Sequence, residues 1–394
     1  MTASSASEPR HLNDVGMRAL ASGDAARALT AFSAAAELDP NAPALWLNIA
    51  KAQRLLYDDS GERAALDRVL GLDAINLTAL IRKAELLQRR GELAAATQVW
   101  AGVLAIAPPR DQRSPALAEL LETAAAFVAE RNGAFAALLD ATLRPARVAV
   151  GGDQRRFDAA IDSVLGRRRI FANECAGLHF PFLPADEFFP RAHFPWIADL
   201  ESQTAAIRAE LEALLAGGGH GMVPYVAMEP GVPANKWTPL DHSLDWSAFY
   251  LWKYGEPVSA ALARCPATAA ALANLPAADL PGRAPTAFFS ILKPHTRIPP
   301  HTGVSNTRAI IHLPLLVPDG CGFRVGGETR RWVEGEAFGF DDTIEHEAWN
   351  DSDHLRAVLI FDVWNPHIAE TERVLLRDFY RAADASGFYP PPAE

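Results

Sequence analysis

The chain has 394 residues, 49% of them hydrophobic and 22% charged, with a net charge of −11. This is a globular profile with core material for two or three domains. The acidic balance, with no basic block beyond Arg167 to Arg169, argues against nucleic-acid binding, which needs a basic face.

The opening stretch "MTASSASEPRHLNDVG" has neither the basic nor the apolar segment of a secretory leader. No stretch nears the about 18 to 20 apolar residues of a membrane helix. A cytoplasmic location without a membrane span is therefore expected. Cys175, Cys265 and Cys321 are widely spaced with no CxxC, and read as free thiols rather than a zinc site or disulfide frame.

The first third repeats at a period of 34 residues. Leu38, Leu72 and Ile106 fall in register, as do Phe32, Leu66 and Trp100. So do Ala36, Leu70 and Leu104; Leu12, Trp46 and Leu80; and Gly16, Ala50 and Ala84. Gly23 and Gly91 match, with Tyr57 between them. The period, with small residues where helices must approach, resembles the tetratricopeptide repeat. Such a unit is a helical hairpin that buries its apolar stripe only by stacking on its neighbours. Residues 1–112 are expected to form this α-solenoid, supplying a groove for peptides or partner proteins and no chemistry. Residues 113–170 read as a helical connector, with Gly133 breaking the run "PALAELLETAAAFVAERNGAFAALLDATL".

Proline and aromatics rise from Phe171, and residues 171–394 form the third expected segment. "HFPFLPADEFFPRAHFPWIADLE" reads as loop, and "LESQTAAIRAELEALLAGGG" as one helix closed by glycines. From Pro285 come short β-rich runs: "TAFFSILK", "RAIIHLPLLV", "GFRVGG", "ETRRWV", "EAFGF" and "LRAVLIFDVW". Their number and spacing predict a double-stranded β-helix of the jelly-roll or cupin-like kind, and an α+β multidomain chain overall.

Chemistry concentrates in this last segment. His301 closes the approach to one strand in "IPPHTGVSN". His346 lies in the turn after "EAFGF", and Arg356 opens "LRAVLIFDVW" ten residues later. In a jelly roll this order brings two imidazoles to the barrel mouth and puts the guanidinium on an adjacent strand, pointing inward. Imidazoles suit divalent iron, and a guanidinium grips a carboxylate with two parallel bonds. The set suits a metal that also binds a dicarboxylate such as 2-oxoglutarate. One feature is odd, because iron sites of this kind carry His-x-Asp and position 303 is glycine. The acidic Asp341, Asp342 and Glu345 read either as a solvated turn or as charges that support the site from behind the ligands.

"HTGVSNTRAIIHLPL", "GEAFGFDDTIEHEAWNDS" and "RAVLIFDVWNP" resemble the aspartyl/asparaginyl β-hydroxylase family of iron(II)- and 2-oxoglutarate-dependent oxygenases. "DWSAFYLWKYGE" and the proline-rich loop resemble it too, so the likeness covers residues 177–366. The resemblance implies that His301 and His346 hold iron(II) without a carboxylate, Gly303 leaving a coordination place to water. It implies that Ser290, His312 and Arg356 contact 2-oxoglutarate, with Trp246 beside them. Arg308 matches a basic residue facing the substrate. It further implies a dioxygenase that uses O2 to hydroxylate a C–H bond, such as the β-carbon of Asp or Asn in a peptide or protein. Ile310 and Phe288 stand where animal members carry basic residues, which weakens the case for an acidic substrate. The competing readings are an oxygenase of a small molecule or lipid acyl group, a repeat-based adaptor with an inactive barrel, and a metal-dependent cupin isomerase.

Overall fold

The computed structural model describes residues 7–387, and the chain divides into two units between Gly166 and Arg167. Residues 1–6 of the stretch read for a leader, and residues 388–394 of the expected oxygenase segment, lie outside the described residues. Among the described residues no helix is long and apolar enough to cross a membrane.

The first unit opens with six helices: α1 (Ser7–Ala21), α2 (Ala25–Leu38), α3 (Pro43–Leu55), α4 (Asp59–Leu72), α5 (Leu77–Arg89) and α6 (Leu93–Ile106). They pair as three hairpins, α1 with α2, α3 with α4 and α5 with α6. Phe32, Leu66 and Trp100 are the buried wedge of each pair. They press on the small residues of the preceding helix; a Cβ on Gly16 would fall 2.4 Å from the Phe32 ring. The turns repeat as well. Asp24 and Asp58 cap α2 and α4 by accepting the main-chain N–H three residues on. Gly23, Tyr57 and Gly91 all take the left-handed conformation, at φ of 81°, 58° and 75°. Tyr57 does so without glycine's freedom, at a cost of about 1–2 kcal/mol. The Leu38 register is not core, because Leu38 and Ile106 end their helices 53% and 39% exposed.

Two further helices occupy the expected helical connector, without the break read at Gly133. α7 (Pro115–Val150) runs unbroken through Gly133, and α8 (Arg155–Val164) follows. A single glycine costs about 1 kcal/mol in a helix, too little to stop one rich in Ala and Leu. Residues 113–166 thus belong with the repeats in one unit that ends at Gly166.

The second unit holds two antiparallel sheets. The larger contains β1 (Val223–Pro224), β2 (Trp246–Lys253), β3 (Glu256–Pro257), β4 (Ala287–Leu292), β6 (Arg308–Leu316), β9 (Phe338–Phe340) and β11 (Arg356–Trp364). Its order is β1-β2-β4-β11-β6-β9, with β3 folded back on β2. The smaller runs β5 (Thr296–His301), β10 (His346–Asn350), β7 (Cys321–Val325), β8 (Glu328–Arg330). All six strand runs read from the sequence contain a strand. β5 was not among them, because Pro299 and Pro300 argue against pairing; it lies at a sheet edge, where proline is tolerated. The expected single helix near residue 200 breaks at Gln203 into α9 (Ile197–Ser202) and α10 (Thr204–Ala216). α11 (Ser259–Arg264), α12 (Pro266–Ala273) and α13 (Glu370–Ser386) complete the unit.

Strand alternation then sorts side chains between two layers. Ala357, Leu359, Phe361 and Val363 of β11 join a core with Phe249, Phe289 and Ile311, covered by Ile207 and Leu211 of α10. Arg356, Ile360 and Asp362 face a cavity on the other side, toward the small sheet. A one-residue slip of β11 would exchange the two sets.

Candidate active site

A cavity of about 440 Å³ lies against the inner face of the large sheet, and it collects every site residue proposed from the sequence. His301, His346, Arg356, Ser290, Trp246, His312 and Arg308 all line it. The imidazoles come from the small sheet and the arginines from the large one, so Arg356 is not on a strand adjacent to either histidine.

His346 opens β10 rather than sitting in a turn, and its register partner across the ladder is His301 at the end of β5. The two rings lie 4.1 Å apart between centroids. His301 Nδ1 is 2.8 Å from the Pro299 carbonyl and His346 Nδ1 is 3.0 Å from the Ile344 carbonyl. Those carbonyls fix the proton on Nδ1, where it donates, and leave the lone pair on each Nε2, the arrangement of a metal-binding histidine. Burial lowers the pKa of both, that of His346 to about 3, so the rings are neutral and able to ligate.

Among the described residues no group of three His, Cys, Asp or Glu is arranged to hold a metal. The place two residues after His301 is nevertheless not open. A Cβ on Gly303 would fall 2.0 Å from Oδ2 of Asp342, whose carboxyl occupies that space. The glycine is there because the main chain packs against this acid; Gly303 N–H donates to the Asp342 carbonyl at 2.6 Å. The acidic turn is only partly solvated: Asp341 is buried, while Asp342 and Glu345 are half-buried. Asp341 accepts from Thr343 and Asn173, and burial pushes its carboxyl up to about 6. Burial pushes Asp342 to about 7, and its Oδ1 has no partner. Glu345 pairs with Arg324 at 3.0 Å.

Arg356 is 1% exposed, and among the described residues no carboxylate forms an ion pair with it. Its Nη1 donates to Ser290 Oγ at 3.2 Å, its Nε has no partner, and the Trp332 ring lies 4.1 Å from its guanidinium carbon. Burial lowers its pKa to about 9. Trp246 Nε1 also donates to Ser290 Oγ at 3.2 Å. With both lone pairs taken, the Ser290 hydroxyl has its own proton left to give. His312 is buried among aromatic rings, its pKa held well below the usual range by burial, with Nδ1 unpartnered. This end of the cavity offers donors and no acid, the chemistry of an anion site.

The other end differs. Arg308 forms a buried ion pair with Asp362, and the charge of Asp342, which lines the same cavity, also acts on this guanidinium. Tyr225, Tyr250, Phe288, Ile310 and Ile360 wall this end. Sequence reasoning missed Trp332 and Asp362, and named Asp342 without seeing that it packs against Gly303. Only Asp362 carried a signal: an acid inside the apolar run "LIFDVW" is rarely idle.

Residues 201–366 match the family model described as aspartyl/asparaginyl beta-hydroxylase. The mouse protein of that name is 40% identical over 131 residues, 33% of this chain and 17% of its own length. An ornithine lipid ester-linked acyl 2-hydroxylase of Rhizobium tropici is 33% identical over 196 residues, 49% of this chain and 66% of its own. The chain thus spans less than two thirds of these relatives. Among solved structures, the first TPR domain of the human RPAP3 protein aligns with 32% of this chain and 96% of its own, at 17% identity and a TM-score of 0.28.

Proposed function

We propose that this cavity, which lies within the residues that match the aspartyl/asparaginyl β-hydroxylase family model, hydroxylates an aliphatic C–H bond, using iron(II), 2-oxoglutarate and dioxygen. His301 and His346 would hold the iron through Nε2, with Asp342 as the adjacent negative charge. The bound metal and co-substrates would supply the oxidising power, which no side chain of the protein can. The protein's own contribution is binding, orientation and exclusion of water.

The observation that carries this reading is Arg356, a buried cation without a carboxylate, close to two tautomer-fixed imidazoles. A dicarboxylate answers both needs at once. Its distal carboxylate would take the guanidinium and the Ser290 hydroxyl, which Trp246 holds in place. Trp332 keeps the guanidinium flat and dry, where a charge-assisted bond is strong. Neutral His312 adds bulk beside this end without adding charge. The repeat unit would present a peptide or protein substrate. The relatives' names divide between Asp or Asn residues and a lipid acyl chain, and the Arg308 end bears on that choice.

The test is iron(II) titration and succinate formation with the wild type and with His301→Ala/His346→Ala. One iron per chain and succinate production, both lost in the double variant, are expected. Undiminished succinate from the double variant would sink the assignment.

A further inference from the structure

We propose that the group hydroxylated here is an uncharged aliphatic chain rather than one bearing a carboxylate, an inference that rests on the cavity being the hydroxylation site. Among the described residues, two arginines and no lysine line the cavity, Arg356 and Arg308. Arg356 stands at the anion-binding end already described. Arg308 is therefore the one cation that could receive a substrate acid, and the fold has already committed it. Its Nη1 donates to Asp362 Oδ2, and the two side chains are 13% and 2% exposed. Asp362 cannot swing aside, because its Oδ1 accepts from the Thr286 main-chain N–H at 2.7 Å. Asp342 lines the same cavity, and its charge also acts on this guanidinium. An incoming carboxylate would have to displace one acid while lying near a second, with like charges in a water-poor space.

The neighbouring inward positions supply no other cation. Ile310 is the register partner of Asp362 on β6, Ile360 precedes Asp362 by two on β11, and Phe288 pairs with Ile360 from β4. Tyr250 continues this row on β2 as the partner of Phe288. The result is a hydrocarbon wall leading to a self-neutralised ion pair. Such a surface gains from burying methylenes, about 0.8 kcal/mol for each. It offers a carboxylate only desolvation. The chemistry fits an aliphatic side chain of a peptide or an acyl chain equally.

Trp237 and Trp246 line the cavity, so binding to the full chain can be followed by tryptophan fluorescence. The probes are N-acetyl-leucinamide, a medium-chain N-acylglycinamide and N-acetyl-aspartic acid α-amide. At least one uncharged probe should bind about tenfold or more tighter than the aspartyl probe. Binding of the acylglycinamide alone would identify a lipid-like source, and binding of the leucyl probe a peptide. Asp362→Asn keeps an acceptor for Thr286 but frees Arg308, and should narrow or reverse the preference. Aspartyl binding equal to the others in the wild type, or no binding of any probe, overturns the proposal without recourse to the variant. Succinate assays run beside the titrations separate the two readings. No succinate, with the binding order intact, would refute the co-substrate assignment and leave standing only the cavity's preference for an uncharged ligand. Succinate stimulated by the aspartyl probe alone would do the reverse.

Discussion

Arg356 and Arg308 occupy opposite ends of one cavity, both on the inner face of the same sheet. Arg308 is matched by Asp362, the charge of Asp342 also acts on it, and its pKa is raised despite the burial that opposes it. Arg356 is buried more deeply, has one serine and one aromatic face for company, and its pKa falls to about 9. Burying a charge without a partner costs several kcal/mol, and a fold retains one only where something else repays it. On the function proposed above, the contrast separates a cation that stabilises the protein from one held in reserve for a ligand.

The largest effects should therefore be opposite in kind. Arg308→Ala strands Asp362 without its guanidinium, and chemical denaturation should show a loss of about 3–5 kcal/mol. Arg356→Met should leave stability unchanged or improve it. Calorimetry should show the reverse order for 2-oxoglutarate: Arg356→Ala weakens binding by about 2–5 kcal/mol, and Arg356→Lys recovers part of it. If Arg308→Ala weakens 2-oxoglutarate as much, the two ends are not distinct.

Asp342 tests the acidic side of the contrast. Its folded pKa of about 7 lies above the ordinary 3.8, so the folded state holds the proton more tightly. The associated stability is present below pH 3.8 and is lost as pH rises through 7. Each unit of displacement is worth about 1.4 kcal/mol. The Tm advantage of the metal-free wild type over Asp342→Asn should accordingly shrink steadily from pH 4 to 7. A constant difference would mean that Asp342 is already ionised beside Arg308.

Gly303→Ala places a methyl against the Asp342 carboxyl and should cost about 1–3 kcal/mol, with weakened iron(II) binding as the acid is pushed aside. Gly303→Asp, which on sequence grounds would add a ligand, meets the same obstruction. The smallest effect is a control in the other unit. Tyr57→Gly relieves a left-handed tyrosine and should stabilise by about 0.5–1 kcal/mol, leaving 2-oxoglutarate affinity unchanged. A shift in affinity with Tyr57→Gly would show that ligand binding follows stability and not the site.

The repeat unit was readable because its information is local. Phe32, Leu66 and Trp100 recur at a fixed distance, and each helix needs only its neighbour to bury them. Gly133 misled because propensity is a weak term beside a long run of helix formers. The strand runs of the second unit were readable for the same local reason, and β5 was not, since its prolines are admissible only at an edge that sequence does not reveal. His301, His346 and Arg356 stood out by residue type and order.

What those residues face was decided by the tertiary structure. Arg308 and Asp362 are 54 positions apart, and Gly303 meets an acid carried by a different strand end. Trp332 comes from beyond β8 to cover Arg356. The sequence by itself determined the helical hairpins, most strands and the chemical types gathered near the cavity, because periodicity and composition act over a few residues. Which cation is paired and which is left bare depends on strand register across two sheets, a long-range property that the closing of the sandwich alone sets.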